Sequence, residues 1–325
     1  AIKDWKKHPA NYLGRPKLPK YKPKKAGRSI VIFTNQQCKI KDGFIQFPRI
    51  FKGYKLPTKA DNLQQIRIVP CGSFYKLEVI YNVKEVEPRP LNNRIIAIDL
   101  GLENFATITN NVGVQPAVIK GREIKSMNQY YNKVLSESKS ILKKQNKKDW
   151  SKELERFTRK RNNKIEDWMH KKSKIVIGYC LQNDITMLVV GKNKNWKQEI
   201  NIGKVNNQKF VGIPYNSFLQ KLEYKCQDTG INFATVEESY TSKASFLDMD
   251  EIPVKYDEKL NPIFSGKRIK RGLYRSQNGT LINADVNGSY NIGRKVFPKE
   301  FNSDGIVGVG LHPVRLENSL AKKFC

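Results

Sequence analysis

Three acidic positions stand where carboxylates are costly unless they are used. Asp99 closes the apolar run Arg94-Ile-Ile-Ala-Ile-Asp99, and an ionised carboxylate inside an apolar strand is poorly solvated unless a cation or hydrogen-bond donors meet it. A divalent metal is the simplest partner; an Asp capping a turn at a strand end is the plainer alternative. Asp285, in Leu281-Ile-Asn-Ala-Asp-Val-Asn-Gly-Ser-Tyr-Asn-Ile292, falls in the first turn of a predicted helix whose inner side carries Val286, Tyr290 and Ile292. It either points past a sheet edge toward Asp99 or simply caps its helix. Glu237 and Glu238 follow a predicted strand over 231–236, and neighbours on a strand face opposite sides, so only one of them can join the other two. Three carboxylates gathered from distant segments would hold two Mg²⁺ ions about 3.5–4 Å apart, with Mn²⁺ as a substitute, and so activate water and stabilise the leaving oxygen in phosphodiester hydrolysis. Gly101, just after Asp99, is expected to leave room for a phosphate.

Competing chemistries are not written in the chain. It has no G-x-x-x-x-G-K-[ST] loop, no G-x-S-x-G elbow and no H-E-x-x-H, and its three histidines, His8, His170 and His312, are far apart. Cys38, Cys71, Cys180, Cys226 and Cys325 are odd in number and never in C-x-x-C spacing, which argues against a disulfide framework or zinc ribbon and for a reducing, cytoplasmic or nucleoid compartment.

The charge names the partner. The 325 residues hold 60 Lys+Arg against 30 Asp+Glu, a formal +30, and such self-repulsion suits a chain that binds a polyanion. No apolar run approaches the length of a membrane span. Residues 143–174 carry thirteen Lys/Arg against five acids, with Arg159 and Arg161 among them; a solvated helix face explains part of this. The compact run Ser265-Gly-Lys-Arg-Ile-Lys-Arg-Gly-Leu-Tyr-Arg275 sets Lys267, Arg268, Lys270, Arg271 and Arg275 around Tyr274, cations for phosphates and a ring for an unpaired base.

Residues 1–28 have ten Lys/Arg, one Asp and four prolines, which predicts a non-helical arm laid along phosphates through residues such as Arg15 and Lys17. Short β-branched runs over 29–34, 44–47, 65–69 and 74–82 predict a small β-domain over 29–90, barrel-like in form. Strands over 94–100, 105–110 and 116–120 follow as a meander. Two long polar helices over 126–142 and 150–181, a buried strand over 185–190, a helix over 214–229 and a strand over 231–236 complete the order expected of a ribonuclease-H-like α/β domain spanning 91–300. Within it lie a helical insertion over 122–182 and a second insertion over 240–280; residues 301–325 are expected to be a tail. The missing initiating Met and the absence of a signal peptide suggest a chain lacking its first segment.

These residues resemble TnpB, the RNA-guided nuclease family of bacterial insertion sequences, long labelled a transposase and related to the type V CRISPR effectors. The resemblance rests on Gly14-Arg-Pro-Lys-Leu-Pro-Lys-Tyr21, Ala97-Ile-Asp-Leu-Gly101, Arg159-Lys-Arg-Asn-Asn-Lys164 with His170-Lys-Lys-Ser173, Gly191-Lys-Asn-Lys-Asn-Trp-Lys-Gln198, Glu238-Ser-Tyr-Thr-Ser-Lys243, residues 265–275 and Asn283-Ala-Asp-Val-Asn-Gly-Ser-Tyr-Asn291. It implies a wedge-type β-domain before a RuvC nuclease domain, a guide RNA from the element's end, and a double-stranded DNA target chosen by base pairing. In much of the family the catalytic Glu follows the strand that here ends at Gly191; branches with that glycine carry the acid before the Thr-Ser pair, which selects Glu238. The implied catalytic and Mg²⁺-binding set is therefore Asp99, Glu238 and Asp285. Where relatives have paired cysteines, this chain has Ala244-Ser-Phe-Leu-Asp-Met-Asp250, so no zinc is expected. Relatives also begin with a partly helical segment that holds the guide–target duplex; its expected absence here would weaken RNA binding or cutting. A nuclease-inactive RNA-guided repressor, with Gly191 as a first lost acid, and a DNA-joining transposase are the alternative readings.

Overall fold

The computed structural model describes residues 2–12, 14–17, 21, 27–51, 53–146, 149–192, 210–257, 259–304 and 308–316. Residues 18–20 of the arm motif, the 193–198 part of the motif that starts at Gly191, and Cys325 lie outside them. The chain divides into two units, Ala1–Lys84 and Glu85–Cys325.

In the first unit the arm is not wholly non-helical. Helix α1, Ile2–Lys7, forms ahead of the first proline at position 9; proline-free residues there keep every backbone donor a helix needs. Arg15 lies over the Trp5 ring, 5.7 Å from its centroid, and both Arg15 and Lys17 are exposed. The β-rich part is hydrogen-bonded as two three-stranded sheets rather than one closed barrel. One joins β1 (Val31–Thr34), β5 (Leu63–Cys71) and β6 (Phe74–Tyr81); the other joins β2 (Lys39–Lys41), β3 (Phe44–Gln46) and β4 (Lys55–Pro57). Strands of three or four residues are too short to close a ring. Cys38, Ile45, Leu63 and Ile66 form their small shared core.

The second unit is α/β. β7 (Ile95–Leu100), β8 (Asn104–Asn110) and β9 (Ala117–Lys120) pair antiparallel, while β10 (Met187–Gly191) runs parallel to β7 and β11 (Asn232–Val236) parallel to β10. A two-residue strand, β15 (Val314–Arg315), adds parallel to β9, giving the order β11-β10-β7-β8-β9-β15. The expected tail is thus partly built in. Phe301 is 1% exposed against Gly293, and Leu316 joins the core, because burying them removes apolar surface from water.

Alternation along the strands sorts the sheet's two faces. Ile96, Ile98 and Leu100 of β7, with Leu188 and Val190 of β10, pack against three helices: α2 (Arg122–Asn146), α3 (Lys152–Gln182) and α4 (Tyr215–Thr229). Ser151 caps α3 by accepting from Leu154 N, and Gly230, at φ 69°, ends α4 in the left-handed region that glycine tolerates. Ile95, Ala97, Met187 and Val189 face the other way, onto α5 (Ala284–Val296) and a three-stranded sheet of β12 (Lys267–Lys270), β13 (Leu273–Arg275) and β14 (Leu281–Asn283). No helix among the described residues is long and apolar enough to cross a membrane.

Candidate active site

The alternation that buries Ile95 and Ala97 under α5 puts Asp99 on the same face, at the penultimate position of β7. The β11 residues Ala234 and Val236 also face α5, and continuing that parity brings Glu238, not Glu237, to the same side. Glu237 is turned elsewhere: its Oε1 accepts from Tyr256 N at 3.2 Å. Gly191 ends β10 beside Val236. A side-chain carbon built there would stand 2.5 Å from Glu238 Cγ and 2.6 Å from Ile292 Cδ1, so Glu238 occupies the space that a residue 191 side chain would take.

Helix α5 approaches closely because its sheet-facing residues are small. A carbon added to Gly288 would lie 3.1 Å from Asp99 Oδ2. Ser289 Oγ is within hydrogen-bond distance of Ala97 O, Thr107 O and Thr109 Oγ1, at 3.0–3.1 Å. Asn283 caps the helix, accepting from Asp285 N and Val286 N, which releases the Asp285 carboxylate from capping. Asn104 Nδ2 instead donates to Asp285 Oδ2 at 2.6 Å, Lys120 Nζ holds Asn104 Oδ1 at 2.7 Å, and Arg268 Nη2 lies 3.8 Å from Asp285 Oδ1. The glycine two residues after Asp99 lets the turn close on itself: a side chain at Gly101 would stand 2.8 Å from Asn104 O.

The electrostatics follow from this crowding. Burial, then the negative charges of Glu238 and Asp285, push the Asp99 carboxyl well above the usual carboxylate range, against the pull of Arg268. Burial pushes Glu238 up to about 8, opposed by Lys295. Burial and then Asp99 and Glu238 raise the Tyr215 hydroxyl, which donates to Gly101 O at 2.9 Å.

Among the described residues, no three His, Cys, Asp or Glu side chains are gathered closely enough to hold an ion as they stand. The donor set still suits one. Three carboxylates are hard oxygen ligands of the kind Mg²⁺ takes, and Thr107 Oγ1, opposite Asp99 in the β7–β8 register, is buried without a hydrogen-bond partner. A cation between the acids would relieve their mutual repulsion.

The burial of Glu238 predicts a pH effect. A carboxyl raised in the folded state binds its proton more tightly there than in the unfolded chain, so stability is highest at low pH and falls as pH rises between the unfolded value near 4.5 and about 8. Melting temperatures of the metal-free protein should decline across that window, and saturating Mg²⁺ should flatten the decline. A slope unchanged by Mg²⁺ would place the acids outside any metal's reach.

The basic cluster divides. Lys267, Arg268, Lys270, Arg271 and Arg275 are all exposed, and the hairpin leans over the acids through Arg268 on Asp285 and Arg271 on Glu103 at 3.3 Å. Tyr274 is not available to a base. It is 1% exposed, part of the core with Ile282 and Tyr290, and its hydroxyl donates to Lys243 O at 2.8 Å; as the middle residue of a central strand it is directed inward while its neighbours point out. Arg161 is likewise withdrawn from phosphates. Its guanidinium donates to Asn128 Oδ1 and Gly212 O and lies 5.1 Å from the Tyr131 ring centroid, clasping α2 to the segment ahead of α4. Arg159 lies half-buried one turn of helix from Arg156.

Sequence reasoning did not find Asn104, Lys120, Ser289 or Tyr215, since polar residues at strand ends and in helices carry no signal until their partners are known. Asn287 and Asn291 are further cases. Asn287 donates to Ala244 O and accepts from Phe246 N, and Asn291 donates to Thr241 O and Ala244 O, so α5 tethers the loop that follows Glu238.

Two family models match the chain. Residues 78–197 match OrfB_IS605, described as "Probable transposase", and residues 215–292 match the Cas12f1-like TNB domain. No curated protein matches. Among solved structures, a Cas12f1–sgRNA–target DNA complex is similar at 17% identity and TM-score 0.45, over 82% of this chain and 67% of that one. A CRISPR-Cas12f ternary complex is similar at 17% identity and TM-score 0.43, over 71% of this chain and 45% of that one.

Proposed function

From a chain that is a relative of the TnpB-like proteins and the type V effectors, we propose an RNA-guided DNA endonuclease whose RuvC-type, ribonuclease-H-like domain cuts by metal-dependent phosphodiester hydrolysis. One observation carries the reading. Three carboxylates from separate elements, Asp99 on β7, Glu238 after β11 and Asp285 on α5, come to one face of the sheet, where α5 lies against Asp99 and Glu238 fills the space beside Gly191. Nothing in a merely structural role calls for gathering like charges at the cost of desolvation. The antiparallel meander of β7, β8 and β9 beside parallel β10 and β11 supports the ribonuclease-H-like reading.

Asp99, Glu238 and Asp285 would hold two Mg²⁺ ions, which when bound supply an activated water and stabilise the leaving oxygen. The chain's own residues supply the rest. Asn104, held by Lys120, aims Asp285; Ser289 and Gly288 fix α5 at its distance from β7; and Arg268 offers a cation to the phosphate beside the acids. A guide RNA and double-stranded target DNA are the partners, with base pairing choosing the sequence and the net charge of +30 holding the backbones.

The test is sequencing of RNA that co-purifies with the protein, followed by cleavage of a plasmid matched to that RNA and of one mismatched to it. A discrete RNA whose replaced guide redirects cutting is expected. Cutting that ignores the guide would overturn the reading. The exposed hairpin adds a second expectation: replacing Lys267 or Lys270 by Ala should lower the salt dependence of DNA binding, log K against log salt, by about one unit each. An unchanged slope would assign them to solvent.

A further inference from the structure

Away from the acids, a cavity of about 420 Å³ opens between α2 and α3, lined by Met127, Tyr130, Tyr131, Phe157, Lys160, Arg161 and Lys164, within the size range of small-ligand sites. Its walls are aromatic. Phe157 stacks on Tyr131 with centroids 5.6 Å apart and meets Tyr130 edge-on at 5.9 Å, while Tyr130 remains 63% exposed. Tyr131 is held in place by Arg161 over its ring and by Thr158 Oγ1 at 3.0 Å from its hydroxyl. A second cavity, of about 560 Å³, shares Lys160 and Lys164 and continues onto Arg156, Arg159, Asn163 and Asp167. An apolar, ring-lined pocket opening onto a cationic trough is the pairing that one unpaired base with its flanking phosphates requires.

The position relates this pocket to the acids. Tyr130 stands eight residues into α2, about 12 Å from the helix start at 1.5 Å per residue, and Gly121 just before that start donates to Glu103 O at 2.9 Å, in the turn that follows Asp99. On the other side, Asn128 beside the pocket donates to Gly212 O at 3.1 Å, and Tyr215, three residues on, donates to Gly101 O. These bonds tie the elements that line the pocket to the turn after β7, while α2 and α3 themselves cover the sheet face opposite Asp99. We propose that the pocket receives one unpaired base of the DNA strand being cut. The assignment to that strand rests on the nuclease reading above; the pocket's affinity for a base does not.

The experiment is fluorescence anisotropy with the full chain in EDTA, at one fixed salt concentration, using labelled twelve-nucleotide single-stranded oligo-dT, the same oligomer with all bases removed, and oligo-rU. Tyr130→Ala should weaken binding of oligo-dT by about 5- to 150-fold, the range measured for losing one stacked base, and leave the abasic oligomer unchanged. Tyr130→Phe, which keeps the ring, should bind within about twofold of the parent. Equal losses on the intact and abasic oligomers, or no loss on either, would overturn the base pocket. An equal or larger loss on oligo-rU would overturn its assignment to DNA. Cutting plays no part in this measurement, so failure of the nuclease reading would appear separately, as intact binding without cleavage.

Discussion

Replacing Glu238 by Gln is expected to leave target binding intact and to slow cutting by at least about 10³-fold. Gln keeps the size and shape of the side chain and removes only its charge, and the metal-borne part of phosphodiester cleavage amounts to several kcal/mol. The same change should raise the melting temperature of the metal-free protein above about pH 8. There the parent holds Glu238 ionised against burial, a cost the neutral amide avoids. Gain of stability with loss of activity is the mark of a strained functional group. Glu237→Gln is the control: its carboxylate is turned to Tyr256 N, and cutting should stay within about twofold. Loss of cutting in the Glu237 variant instead would exchange the roles of the two acids.

The second large effect comes from Gly191. A side chain there collides with Glu238 and Ile292, so Gly191→Glu alone should destabilise the protein by about 1–3 kcal/mol, as overpacking does, and lose cutting. Combined with Glu238→Ala, the collision with the acid is removed and a carboxylate enters the same space from β10. The double variant should cut at least about tenfold faster than Glu238→Ala alone and recover part of the lost stability. Melting curves and single-turnover cleavage on the three proteins check this. A double variant no better than Glu238→Ala would mean that the two positions do not serve one site.

How much of this was legible in the sequence depended on whether the signal was local. The apolar run ending in Asp99 and the helix opening at Asn283 and Asp285 announced themselves through hydrophobic period and cap chemistry. The choice of Glu238 over Glu237 was also present, in the parity of Ala234, Val236 and Glu238, although the resemblance rather than parity selected it. The resemblance tied Gly191 to a displaced acid, but the packing reason was not legible, because that Glu238 fills the space of a residue 191 side chain shows only once the strands are paired. Tyr274 misled because its charged neighbours suggested a ring offered to an unpaired base, whereas a three-residue central strand sends its middle side chain inward. Arg161 misled because Asn128 and Gly212, which satisfy it, are distant in sequence. The short helix at Ile2–Lys7 and the strand Val314–Arg315 escaped notice, being shorter than the windows in which periodicity can be read.

Whether the three carboxylates cut DNA is decided by Mg²⁺-dependent cleavage of a guide-matched plasmid by the purified protein–RNA complex, wild type and Asp99→Ala in parallel, with target binding measured on the same preparations. The predicted result is double-strand breaks by the wild type alone, absent in EDTA, with equal target binding by both. Equal cutting by the two proteins, or guided binding with cutting by neither, would contradict it.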